Sequence, residues 1–232
     1  MNRLALFDCD GTLVDSQASI CRAMSECFEA HGLTAPDRQA TRRIVGLSLP
    51  EAMRALLPEA EAELHQSLTD SYKAAFFRHR SEGLVEEPLF DGITDVLERL
   101  ESDGWLLGVM TGKSDRGLRF CLERHGLHAR FATLQTADRH PSKPHPAMLH
   151  AAIAEAGASP ETTVMIGDTS FDMMMAREGG ARALGVGWGY HAPEELRAAG
   201  ASAVVETAEE LVGAIAEHAP QAASGWNRVR ET

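Results

Sequence analysis

Two carboxylates two residues apart, Asp8 and Asp10, are the first residues of this chain that could do chemistry together. They follow the apolar run Leu4-Ala5-Leu6-Phe7, which reads as a short buried strand. On an extended segment, residues i and i+2 project to one side, so Asp8 and Asp10 share a direction and Cys9 turns away. Gly11 lets the backbone turn sharply and approach a ligand. Two like charges this close repel. A divalent cation bound through oxygen would offset them, and a carboxyl that keeps its proton can serve as an acid. A second acidic pair, Asp168 and Asp172, follows the strand-like Thr163-Val164-Met165-Ile166 and shares a face once a helix starts. Paired acids also suit a plain helix N-terminus. Thr111 and Gly112 stand after another apolar run, 105–110, where a hydroxyl and free N–H groups entering a helix make an anion site. Thr111 taken alone suits a simple cap equally well. Lys143 sits in Ser142-Lys143-Pro144-His145-Pro146, a loop stiffened by its prolines.

The string Asp8-Cys9-Asp10-Gly11-Thr12-Leu13-Val14-Asp15-Ser16 resembles the first motif of the haloacid dehalogenase-like hydrolase superfamily. Most members are Mg-dependent phosphatases that pass through an aspartyl-phosphate. Thr111, then Lys143 in Lys-Pro-Xaa-Pro, then Gly167-Asp168-Thr169-Ser170-Phe171-Asp172 match the second, third and fourth motifs in order. The resemblance covers the chain to about residue 218. It implies that Asp8 is the nucleophile and Asp10 the general acid/base. It implies that the Thr111 hydroxyl, the Gly112 N–H and Lys143 bind the transferred phosphate. It also implies a Mg²⁺ held by Asp8, the main-chain carbonyl of Asp10 and Asp168, with Asp172 behind it through a water.

The elements that must position these residues form an α/β fold: a Rossmann-like parallel-sheet core with an inserted α-helical cap. The core is predicted over 1–15 and 85–220, the cap over 16–84 and a tail over 221–232 that Trp226 could anchor. In the cap, Ile20, Met24, Cys27 and Phe28 recur at helical spacing. Further helices are predicted over 37–45 and 59–80, and Ser48 with Glu51 has capping-box spacing. Asp91 is placed to cap the helix that returns the chain to the core. Phosphoglycolate phosphatase-like members carry a stretch similar to Arg42-Arg43-Ile44-Val45-Gly46-Leu47. Either Arg42 or Arg43 could meet a substrate carboxylate or second phosphate, or form a solvated basic face. His140 and His145 lack a metal setting and read as exposed loop histidines.

A formal net charge of −12 over 232 residues argues against nucleic acid as a partner. Cys9, Cys21, Cys27 and Cys121 have no paired spacing and read as reduced thiols. No run approaches the length of a membrane helix and no basic leader with a long apolar core is seen, so a soluble cytoplasmic enzyme is expected, monomer or homodimer. The expected function is Mg-dependent hydrolysis of a small phosphorylated metabolite, phosphoglycolate-like first. A β-phosphoglucomutase-type mutase and a non-catalytic binding protein on the same fold are the alternatives. A haloalkanoate dehalogenase would need neither Asp10 as an acid nor Mg²⁺.

Overall fold

A computed structural model describes residues 1–217. The predicted tail with Trp226 lies outside the described residues, as do the last three residues of the predicted core.

Alternation of apolar side chains builds the centre of the fold. Along β1 (Arg3–Phe7), Leu4 and Leu6 enter one apolar layer while Ala5 and Phe7 enter the other, and Cys9 continues on the second side. β1 is therefore buried on both faces, as parallel strands under helices are. It pairs in parallel with β2 (Trp105–Thr111) and with β4 (Thr163–Gly167). With β3 (Phe131–Thr136), β5 (Arg182–Val186) and β6 (Ala203–Val205) they form one six-stranded sheet of order β3-β2-β1-β4-β5-β6. The strand order reverses direction at β1, so a crevice opens outside its carboxyl end, where open α/β sheets bind ligands.

Helices cover both faces. Ile93, Val96, Leu97 and Leu100 of α5 (Ile93–Ser102), with α6 (Asp115–Arg124) and α10 (Ala208–Glu217), pack on the Phe7 side. Helices α7 (Ala147–Ala156), α8 (Ser170–Glu178) and α9 (Pro193–Ala199) pack on the Leu4 and Leu6 side. Met173 and Met175 belong to this packing.

Between β1 and α5 the chain forms four helices: α1 (Gln17–Ala30), α2 (Arg38–Ile44), α3 (Leu49–Leu56) and α4 (Ala62–Ser81). They share an apolar cluster of their own, with Met24, Phe28, Met53 and Leu68 at its centre. Two predicted local devices are absent here. Ser48 precedes α3 but makes no side-chain cap, because Glu51 pairs with Arg54 and the Ser48 N–H donates to Ser142 Oγ at 2.7 Å instead. Asp91 does not cap α5, since Gly92 occupies the cap position at φ 79°, a left-handed conformation open to glycine.

Leu97 is wholly buried between α5 and the sheet. Leu97→Ala is expected to lower unfolding stability by about 2–5 kcal/mol, read by equilibrium urea denaturation.

Candidate active site

Strand register brings the predicted residues to one edge. Phe7 faces Val109 of β2 and Ile166 of β4. Continuing that register puts Thr111 and Asp168 at one height on either side of Cys9. The loop between β3 and α7 then returns Lys143 to the same place. Its Nζ donates to Asp172 Oδ1 at 2.7 Å and pairs with Asp8 Oδ1 at 2.8 Å. Asp8, Asp168, Asp172 and Lys143 are all buried.

Each carboxylate is held differently. Asp172 Oδ2 accepts from the N–H and the hydroxyl of Thr169, at 3.1 and 2.7 Å, where α8 starts. Asp168 Oδ1 accepts from Thr12 Oγ1 at 2.8 Å and its Oδ2 from the Tyr190 N–H at 2.9 Å. Among the described residues Asp8 has its ion pair with Lys143 and no hydrogen-bond partner for Oδ2. Burial pushes the Asp8 carboxyl up to about 7 although Lys143 pulls it down. Burial, then the charges of Asp8 and Asp172, raise Asp168 well above the carboxylate range. Burial alone would lower Lys143, yet Asp172 and Asp8 beside it hold its ammonium above the usual lysine range.

This imbalance answers whether the residues suit a metal. Oxygens of Asp8, Asp168 and Asp172 lie within 4.8 Å of one another, all buried, with one lysine among three acids. A hard divalent cation takes such a set and would use the unpartnered Asp8 oxygen. The turns after β1 and β5 both close tightly on the cluster, since a Cβ on Gly11 or Gly189 would collide with the Asp168 side chain.

A cavity of about 600 Å³ opens above Asp10 between the helices α1–α4 and the core. Ile20, Met24, Tyr72 and Phe76 wall it, and Lys73, Arg80, Lys113 and Arg116 supply cations. Gly112 also lines it, against the carbonyls of Gly46 and Leu47, leaving no room for a side chain. Thr111 is buried, and its hydroxyl accepts from the Lys113 N–H at 3.2 Å.

Arg42 and Arg43 do not line this cavity. Arg42 donates to the carbonyls of Gly189 and Tyr190, at 2.8 and 3.3 Å, and lies over the Tyr190 ring. Arg43 pairs with Glu195 at 2.7 Å. Both fasten α2 to the core through these contacts. His145 is exposed, but His140 is half-buried and bonded to Gln135 Oε1 at 2.7 Å. Sequence reasoning missed Thr12, Ser16, Tyr190 and Glu87 as site residues. Thr12 was visible in the first motif, two residues beyond Asp10. Glu87 had no local signal.

The family model for haloacid dehalogenase-like hydrolases matches residues 5–186. The chain belongs to that family. It is 36% identical over 219 residues to a probable phosphatase, IndB, of Dickeya dadantii, covering 92% of this chain and 94% of that protein. It is 30% identical over 212 residues to a phosphoglycolate phosphatase of Colwellia psychrerythraea, covering 89% and 94%. The solved structure of a predicted phosphatase from Clostridium acetobutylicum superposes with a TM-score of 0.84 at 26% identity, over 94% of this chain and 99% of that one. This haloacid dehalogenase-like hydrolase is accordingly a phosphatase. No helix among its described residues is long and apolar enough to cross a membrane.

The charge imbalance has a measurable consequence without metal. The native state holds a proton on Asp8 up to about pH 7, whereas a free aspartate releases it near 3.8, so chelated protein loses stability as pH rises between those values. With a chelator present, Asp8→Asn is expected to raise Tm at about pH 8, and the gain should shrink as pH falls through that window. A gain that stays constant in calorimetry would show Asp8 ionised throughout.

Proposed function

We propose that the protein is a Mg²⁺-dependent phosphomonoester hydrolase working through an aspartyl-phosphate on Asp8. The observation that carries this reading is the Asp8 carboxylate: buried beside Lys143, with one oxygen unpartnered. Asp8 attacks phosphorus in line, the ester P–O bond breaks, and protonated Asp10 gives its proton to the departing oxygen. Water then attacks the acyl phosphate, its proton passes to Asp10, and inorganic phosphate leaves with Asp8 free again. Lys143, Thr111 and the Gly112 N–H offset charge on the transferred phosphoryl oxygens. Asp8, the Asp10 carbonyl and Asp168 would hold Mg²⁺, with Asp172 behind them. The ion would supply further charge neutralisation at those oxygens.

The helices of 16–84 act as a cap in this reading, and the core spans 1–15 and 85–220. Contacts of Gly46 and Leu47 with Gly112, and of Ser48 with Ser142, support a cap seated on the site. Closing it excludes bulk water. The substrate is a small phosphorylated metabolite. A leaving group that carries an anion, such as glycolate with its carboxylate in phosphoglycolate, suits the cations at the cavity, and the similarity to the Colwellia psychrerythraea enzyme supports the same choice. The net charge of −12 and the four cysteines without disulfides support a cytoplasmic enzyme that binds no nucleic acid.

Phosphate release from a panel of esters including phosphoglycolate tests the reading. Release should require Mg²⁺, stop with EDTA, and fall to background in Asp8→Asn. Asp10→Asn should lower kcat by about 10²–10⁴-fold. Conversion of glucose 1-phosphate to its 6-phosphate with no release from any ester would establish a mutase instead.

A further inference from the structure

Asp10 is gripped from both chain segments that join the helices α1–α4 to the core. On the outgoing segment, Ser16 donates to Asp10 Oδ1. On the returning segment, Glu87 Oε1 accepts from Lys113 Nζ at 2.6 Å, and the same Nζ lies 2.8 Å from Asp10 Oδ1. The Glu87 side chain is wholly buried and its Oε2 has no partner, while the Lys113 side chain is 9% exposed. Glu87 lies outside the four motifs and does not line the cavity. Its backbone is fixed: its carbonyl bonds His125 Nε2 at 2.7 Å, the Pro88 carbonyl accepts from the Asp15 N–H at 2.8 Å, and Leu89 bridges Val14.

Three charged groups in one dry spot are costly, and apolar residues of the same volume would stabilise the fold as well or better. The arrangement therefore needs another reason. An ammonium on a flexible four-carbon stem has three rotatable donors, so a single carboxylate leaves it free to turn. Two carboxylates fix its direction. The cation of Lys113 is the one that reaches both the floor of the cavity and Asp10.

We propose that Glu87 is a positioning residue for phosphoryl transfer: it fixes the Lys113 ammonium, which in turn fixes the Asp10 carboxyl toward the departing oxygen. This rests on the reading of Asp10 as general acid. A misplaced acid hinders departure of a poor leaving group, whereas a good one leaves with little proton help. The value of kcat/KM isolates that departure, because it excludes the later hydrolysis of the aspartyl-phosphate.

The test compares an alkyl phosphate without a carboxylate, chosen from those the panel shows to be turned over, with 4-nitrophenyl phosphate, in Mg²⁺. Glu87→Gln should lower kcat/KM for the alkyl ester by about tenfold or more, the worth of one charge-assisted hydrogen bond. It should lower that for 4-nitrophenyl phosphate by less than about threefold. The double variant Lys113→Met with Glu87→Gln removes both charges of the buried pair, so it should stay folded and show the same split. Equal losses on both esters, or none, overturn the proposal. Wild-type protein that hydrolyses neither ester, with Mg²⁺ present, overturns the phosphatase mechanism itself.

Discussion

One lysine set among three buried carboxylates is the constraint on which the rest of this structure depends. Lys143 touches Asp8 and Asp172 at ion-pair distance, and Asp168 completes the acidic set. Ionised carboxylates in such a place are unfavourable without compensation, because burial disfavours the charged form. The protein compensates with directed donors. Thr12 and the Tyr190 N–H serve Asp168, and Thr169 serves Asp172. Among the described residues, Asp8 is the carboxylate left with an unpartnered oxygen.

Holding four such groups together demands a rigid frame. β1 supplies it by being buried on both faces and paired on both edges. Its neighbours β2 and β4 end at the same height, so Thr111 and Asp168 flank the turn after β1 without a long loop between any of them. Close backbone approach does the rest. Gly189 lets the turn after β5 lie on the Asp168 side chain, and Gly112 lets the loop at Leu47 descend onto the segment after β2.

The helices α1–α4 are tied to this frame by polar contacts at several points. Arg42 reaches the carbonyls of the turn that serves Asp168, and Arg43 reaches Glu195 on α9. Arg80 lies 4.3 Å from the Phe120 ring and Arg116 lies 4.3 Å from the Phe77 ring, joining α4 to α6 beside the cavity. Arg80, Phe77 and Arg116 also line the cavity above Asp10.

The sequence by itself determined the strands, the helical insertion and the motif residues. Short apolar runs and 3.6-residue spacing are local signals, and turns such as Gly11 obey local steric rules. Ser48 and Asp91 were misread because cap chemistry competes with partners that local pattern does not show: Ser142 and Glu51's ion pair in one case, a left-handed Gly92 in the other. For Arg42 and Arg43 the local pattern left a substrate contact and a solvated basic face both open, and the direction of Arg42 follows from where the β5–α9 turn passes. Tertiary structure alone decided that Tyr190 serves Asp168 across 22 residues, and that Glu87 meets Asp10 through Lys113. Burial and long-range proximity, which set these ion pairs, are properties of the packed chain and not of any window of it.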